Sequence, residues 1–519
     1  MTTTAPPALE NAATALAAGM RVALTAHETP ERPAILSDRG NRTYAELNAR
    51  ANQLARLLRA RGLSEGDAVA LSCSNRPEFA EVWAACLRAG LRLTCLNWHL
   101  QADEAAYIVE DCEARAFIAE GDRVAEVARA AAGAAPKASV RLSIGAPIAG
   151  FDDYDAALDD ESGEDLPDPV RGGVMLYTSG TTGRPKGVHR RQPAVEGGNN
   201  HEPMVRGESV VLCTGPLYHA APLQTNLNVP LQRGVTVVLM DRWEPEETLR
   251  LVERHRVTHT HMVATMFHRL LALPGEVKER YDLSSLRYVL HGAAPTPVHV
   301  KQAMMDWLGP RLYEYYAATE GGGTFITPEQ WLAKPGSVGP PNPGRVVEVL
   351  DDDGRPLPAG EVGTVYFSRP EVGAFEYFKD PEKTARAYRG DRFTLGDHGY
   401  LDEDGYLFLT GRTSETIISA GVNIYPAEVD EVLLMHPAVA DVACVGVPNE
   451  ERGEEVKAVV QLVAGQAPSD PLAGELIAFC RDRLAHFKCP RSVDFDDALP
   501  RGEAGKIQRH RVRARYWPE

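Results

Sequence analysis

The 519-residue sequence predicts an α/β protein. A large N-terminal domain of mixed and parallel sheets flanked by helices carries a small antiparallel β subdomain, and a small α+β C-terminal domain follows. Three observations carry that reading. From about residue 30, short β-rich runs alternate with helical segments, the pattern of βαβ units and parallel sheet. From Gly344 the run "GRVVEVLDDDGRPLPAGEVGTVYF" turns to short strands and tight turns, the texture of an antiparallel subdomain. After Arg412 a compact unit of about 100 residues begins, so the boundary falls at 411–414 and the domains at 1–411 and 412–519.

The elements follow in order. "TYAELNARANQLARLLRARG" has apolar residues at helical spacing and ends in Gly62. "AVALSCS" is a buried-strand run, and "PEFAEVWAACLRAG" a helix after it. The Ala-rich "AEVARAAAGAAP" reads as helix and loop, and no internal repeat is present. "VTVVLM", "VTHTHMVAT" and "LRYVLHG" are strands with helical segments nearby. Past Arg412 come a strand, the helix "PAEVDEVLLMHP", the strands "ADVACVGVP" and "EVKAVVQLV", and the helix "LAGELIAFCRDRL".

Composition narrows the class. With 44% hydrophobic and 24% charged residues the chain has a globular profile and can bury a large core. A formal charge of −17 argues against a nucleic-acid footprint or an anionic membrane surface. No apolar run approaches the ~18 residues a membrane span needs. The first twenty residues hold no basic side chain before Arg21 and include Glu10, unlike a signal peptide, so a cytoplasmic protein is expected. The eight cysteines show neither CxxC nor metal-ligand spacing and read as reduced thiols.

Chemistry concentrates in "LYTSGTTGRPKG", residues 176–187, directly after the strand-like "GVML". The hydroxyls of Thr178, Ser179, Thr181 and Thr182 can donate to phosphate oxygens. Gly180 and Gly183 permit positive φ and close backbone approach, and Lys186 supplies charge. A Walker A loop is excluded: Lys186 precedes Gly187, and Pro185 removes a backbone donor that a phosphate nest would use.

"YTSGTTGRPKG" resembles the signature loop of the adenylate-forming superfamily, which includes acyl- and aryl-CoA synthetases, peptide-synthetase adenylation domains and luciferases. Further segments resemble that family's motifs, in order. "PLYHAAP" (216–222) resembles the acyl-site segment, "HGAAP" (291–295) the adenine-side turn and "YYAATEGG" (315–322) the Tyr-Gly-x-Thr-Glu motif. "LGDHGYLDEDGYLFLTGR" (395–412) resembles the ribose motif. "ISAGVNIYPAEVD" (418–430) and "GEAGKIQR" (502–509) resemble the hinge-proximal loop and the C-terminal lysine motif. The resemblance covers roughly residues 30 to 515.

What the resemblance implies is an ATP-dependent acid–CoA ligase using ATP, Mg²⁺ and CoA on a small-molecule acid. A carboxylate is ionised at pH 7 and resists nucleophiles; as an acyl-adenylate it carries a good leaving group. Lys506 is implied as the mobile cation between the carboxylate and the α-phosphate, where a preorganised charge is worth ~10²–10³ in rate. Thr181, Lys186, Glu320 and His219 complete the implied catalytic set. His219 would lie at the carboxylate end of the acyl pocket, and Glu320 with Thr181 would hold the metal. The nucleotide would meet Thr178, Ser179, Gly180, Thr181, Thr182, Gly183, Lys186, Gly292, Ala293, Ala294, Glu314, Tyr315, Tyr316, Ala317, Thr319, Asp397, Arg412 and Lys506. Tyr316 would stack on adenine, Thr319 bond the α-phosphate and Asp397 the ribose, with Arg412 returned beside Asp397 by a hairpin. Gly421 and Asn423 would line the pantetheine channel. Arg412 through Ser414 would be a hinge for a mobile C-terminal domain.

The chain departs from the family pattern at Ala317, Ala420 and Ser414, and the second leaves the thiol acceptor open. A carrier-protein thiol, oxygen or an amine remain alternatives, as does nitrite activation for arylamine diazotisation. A catalytically inactive nucleotide sensor is a further alternative, against which the joint presence of Lys506, Glu320, Asp397 and Arg412 speaks. A homodimer stays open. Gln224, Asn226 and Asn228 follow the acyl-site motif; facing the pocket they favour a polar or aromatic acid, facing water they mark an amphipathic helix. His259 and His261 share one side of a strand at metal-like spacing with no third ligand evident, and are expected to shape the strand beside the acyl tunnel.

Overall fold

The protein's structure, a computed structural model, describes residues 7–517 apart from 179–184, 191–202, 295, 413–414, 420–421, 450–452, 485, 487 and 503–505. Two parallel-rich sheets form its body. The six-stranded one runs Asp152–Asp153, Val140–Ile144, Ala114–Glu120, Ala68–Ser72, Arg92–Leu96, Gly173–Val174, with every pairing parallel. The eight-stranded one runs Gly321–Ile326, Leu312–Ala318, Tyr288–His291, His259–Met262, Val210–Cys213, Thr236–Leu239, Pro33–Leu36, Arg42–Thr43. Its inner pairings are parallel and its two outermost antiparallel.

Helices start and stop where local chemistry says. Thr43 caps the helix Tyr44–Ala60, accepting from Glu46 N at 3.2 Å, while Glu46 Oε2 accepts from Thr43 N at 2.7 Å; this reciprocal box satisfies two orphan amides. Helix Pro77–Ala89 opens on its proline and stops at Gly90, whose φ of +76° no β-carbon favours. Both helices join one large core with the strands beside them, through Leu47, Leu54, Phe79 and Trp83.

The antiparallel texture expected after Gly344 is a five-stranded sheet: Val347–Leu350, Gly363–Ser368, Arg392–Leu401, Tyr388–Arg389, with Leu407–Arg412 beside Arg392–Leu401. A three-stranded sheet joins Leu176–Thr178, Lys186–His189 and Glu376–Tyr377. In the C-terminal region, Val439–Asn449 and Gly453–Leu462 form a long antiparallel pair. Short strands Ile417–Ser419 and Val422–Ile424 precede the helix Pro426–Leu434. The sequence reading had a single strand there. It also lacked the parallel strand Ser492–Phe495 and the closing helix Arg509–Ala514. All eight cysteines are buried, and none is in a disulfide. No described helix is long and apolar enough to cross a membrane.

Candidate functional site

A cleft of about 2140 Å³ opens at the carboxyl ends of the parallel strands, where loops rather than ladders present side chains. It is lined from both ends of the chain: Thr178, His219, Ala293, Tyr315, Tyr316, Thr319, Glu320 and Asp397 face it, and so do Glu415, Asp430, Lys506 and Arg509.

Residues 315–320, the end of the strand Leu312–Ala318 and the two residues after it, all line the cleft. Tyr316 donates its hydroxyl to Asp397 Oδ2 at 2.5 Å, across 81 residues. Asp397 stands opposite Arg412 in the antiparallel register, so the predicted hairpin does bring the two backbones together. Ala293 holds φ +66°, a left-handed backbone unusual for a β-carbon-bearing residue, at the turn after the Tyr288–His291 strand. Gly292 is required for its space: a Cβ there would meet Tyr315 O at 2.5 Å and the Tyr315 ring at 2.7 Å. Ala294 and Ala317 line the cleft beside them. Glu314 lines the cleft as well, with its carboxylate paired. Its Oε2 accepts from the fully buried Lys301 at 2.7 Å, so its carboxylate is engaged behind the strand.

Glu320 accepts from Tyr377 Oη at 2.9 Å, and Arg190 donates to Thr319 O at 2.8 Å. Mg²⁺ takes hard oxygen ligands, commonly one or two carboxylates beside substrate phosphates and water. A single Glu320 carboxylate, oriented by Tyr377 at the cleft wall, fits that demand. Tyr377 and Lys383 also line the cleft, Lys383 Nζ lying 4.3 Å over the Tyr377 ring. Neither was found from sequence, because strand and helix texture announces no contact between residues some sixty positions apart. Thr178 lines the cleft, whereas Lys186 pairs with Asp380 at 3.0 Å and is not in its wall. Ser179, Gly180, Thr181, Thr182, Gly183, Ser414, Ala420 and Gly421 lie outside the described residues, as does the side chain of Arg412.

On the acyl side, His219 precedes a short helix, and its Nε2 is buried with no hydrogen-bond partner among the described residues. Burial pushes its imidazole down to about 4, so it is neutral at pH 7. The segment after it puts Gln224 and Asn226 in the cleft wall and Asn228 outside it. Leu223–Asn228 is a π-helix, a conformation concentrated at functional sites, between the α-turns Ala220–Pro222 and Val229–Gln232. Asn226 is buried and donates to Leu212 O at 2.8 Å. Asn228 donates to Gln224 Oε1 at 2.7 Å and accepts from Gln232. Asn226 and Asn228 thus find partners inside the protein, and Asn228 leaves the cleft wall to Gln224, Thr225 and Asn226.

From the C-terminal end, Lys506 lines the cleft, its carbonyl accepting from Gly502 N at 2.8 Å. Arg509, three residues on, bonds Glu415 Oε2 at 3.2 Å, Asp430 Oδ2 at 2.7 Å and Cys444 O at 2.8 Å. A rigid guanidinium fork with three fixed acceptors ties the chain just after Lys506 to the helix and strand behind it.

Comparison with known proteins bears on this arrangement. The AMP-binding enzyme family matches residues 22–375, and the AMP-binding enzyme C-terminal domain matches residues 428–506. The chain belongs to the AMP-binding enzymes, the adenylate-forming superfamily. Among relatives, it is 36% identical over 482 residues to a feruloyl-CoA synthase from Amycolatopsis sp, covering 91% of this chain and 94% of that protein. It is 33% identical over 508 residues to the fatty acid–[acyl-carrier-protein] ligase ScoC of Streptomyces coeruleorubidus, covering 95% of each. The fold matches the anthranilate CoA ligase AuaEII, solved in complex with anthranoyl-AMP, with a TM-score of 0.84 at 25% identity, covering 96% of this chain and 97% of that one. Within this family of AMP-binding enzymes the α/β body, the antiparallel subdomain and the C-terminal unit are the shared architecture.

Proposed function

We propose that the protein activates a carboxylic acid with ATP as an acyl-adenylate and then transfers the acyl group to CoA. The observation that carries this reading is one cleft lined at once by His219, Thr319, Glu320, Asp397 and Lys506. In the first step a carboxylate oxygen attacks the α-phosphorus and pyrophosphate leaves. Two anions meet there, so the useful group is a fixed cation, and Lys506 is the proposed one. Neutral His219 offers a hydrogen bond to the acid without adding a charge. Asp397 and Tyr316 would hold ribose and adenine, and Thr319 the phosphate. Mg²⁺, held by Glu320, would offset triphosphate charge.

In the second step the thiol sulfur attacks the acyl carbon, AMP leaves and the thiol proton is released. We propose domains 1–411 and 412–519 with a hinge at Arg412–Ser414, so that the Lys506 loop can withdraw before the thiol enters. Domain movement of this kind separates two half-reactions in one site. A polar or aromatic acid is favoured by the Gln224 and Thr225 side of the cleft. A carrier-protein thiol stands as the second acceptor, supported by the similarity to ScoC.

Pyrophosphate release, measured over a panel of acids with and without CoA and with a phosphopantetheinylated carrier protein, tests the reading. Acid-dependent release with CoA-dependent thioester is expected. Release that needs nitrite and an arylamine, with no acid accepted, would overturn it.

A further inference from the structure

The eight-stranded sheet exposes part of one face to the cleft. Strand residues alternate between faces, and the parallel register sets His259 beside Tyr288 and His261 beside Leu290, with Tyr313 and Tyr315 following on the next strand. Toward the Thr236–Leu239 strand the same face is packed into the large core by Leu217, Leu223 and Leu227. From His259 outward it is instead floor of the cleft, with His259, His261, Tyr288 and Tyr315 all lining it.

Four rings line that floor, tilted by 41–42° within each pair, and Tyr313 packs against Tyr288 behind it. His259 and Tyr288 lie 5.6 Å apart between centroids, Tyr288 and Tyr313 4.4 Å, and His261 and Tyr315 5.8 Å. Aromatic rings gain from edge-to-face and offset contacts with another ring beyond the area they bury, so a ring in the ligand is favoured by this floor. One polar couple interrupts it: His261 Nε2 and Tyr315 Oη are hydrogen-bonded at 3.1 Å. Burial lowers the His261 pKa to about 4 and raises that of Tyr315, so the couple is uncharged at neutral pH. Whichever of the two donates, the phenol oxygen keeps hydrogen-bonding capacity, as acceptor in one tautomer and as donor in the other. The ring is held in place, since its edge lies against the backbone of Gly292 where no Cβ would fit.

We propose that this floor selects a ring-bearing carboxylic acid whose skeleton carries a hydroxyl or keto oxygen, received by Tyr315 and His261. The inference rests on the acid-activating reading above and assigns the substrate class of that same site. An alkyl chain laid on the couple buries that capacity unmet, which costs about 1–3 kcal/mol, or roughly ten- to a hundredfold in relative kcat/KM.

The test uses the full chain with ATP and Mg²⁺ and pairs of acids differing by one oxygen, 4-hydroxycinnamate against cinnamate and 4-hydroxyphenylacetate against phenylacetate, with decanoate as the alkyl comparison. Pyrophosphate release gives kcat/KM for each. The hydroxylated member of at least one pair is expected to lead by tenfold or more, and decanoate to trail it. In Tyr315→Phe that ratio falls to about one, and His261→Asn moves it the same way. Because both acids of a pair meet the same protein sample, partial misfolding of a variant cancels from the ratio. Ratios unchanged in both variants, no pair reaching tenfold, or decanoate leading would overturn the inference and leave acid activation standing. No release with any acid would overturn the acid-activating reading and the inference with it.

Discussion

On one face of the eight-stranded sheet, Leu212, Met262, Val289, Leu312 and Ile326 pack with Trp331 into a closed apolar core. One residue along the same strands, His259, His261, Tyr288 and Tyr315 face the cleft. The run His259-Thr260-His261-Met262 writes both faces into four positions, since a strand alternates sides at every step. The covered face admits a charge only with its partner, as Lys301 with Glu314 at 2.7 Å. The open face carries the hydrogen-bonded His261–Tyr315 couple. Core packing and the proposed selectivity thus lie on opposite sides of the same backbone.

The largest effect that would break this comparison is on the covered side. Lys301→Met leaves Glu314 buried without its cation, and denaturant unfolding should show a loss of about 3–5 kcal/mol. A loss near zero would mean that the pair is not what holds that face. Next comes the cleft. Lys506→Ala should lower the rate of pyrophosphate release by ~10²–10³ while the melting temperature stays put, because Lys506 is exposed and packs no core. Unchanged turnover would remove the lysine from the mechanism.

The smallest effect sharpens the contrast through pH. Burial holds His219 and His261 near 4, against an ordinary value of about 6.5 in the unfolded chain. Between those values the unfolded chain binds protons that the folded one refuses, so stability is complete above about pH 6.5 and falls toward pH 4. Each such histidine contributes a slope of up to about 1.4 kcal/mol per pH unit in that window. Melting curves at pH 7.5 and 5.5 should show a smaller drop for His261→Asn than for the unaltered chain; equal drops would place the titration elsewhere.

Much of this was legible beforehand. Helical spacing and capping residues marked Tyr44–Ala60 and Pro77–Ala89, and the "EDG" turn foretold the hairpin that sets Asp397 opposite Arg412. These are local or repeating signals. The contacts between Tyr377 and Glu320, Lys186 and Asp380, and Lys301 and Glu314 were not legible, since nothing in a strand's texture names a partner on another element. The π-helix Leu223–Asn228 and the bond from Asn226 to Leu212 O were missed too, since neither shows in the hydrophobic periodicity.

Much of the order of secondary structure was legible in the sequence alone, because propensity, alternation and turn chemistry act over a few neighbouring residues, and the family was legible in the resemblance of its motifs. Only the tertiary structure decided which face of His259–Met262 meets the cleft, that Glu314 turns to Lys301, and that Lys506 shares a wall with His219. Those outcomes depend on how separate elements compete for the same buried space, and that competition has no trace in any one segment of the chain.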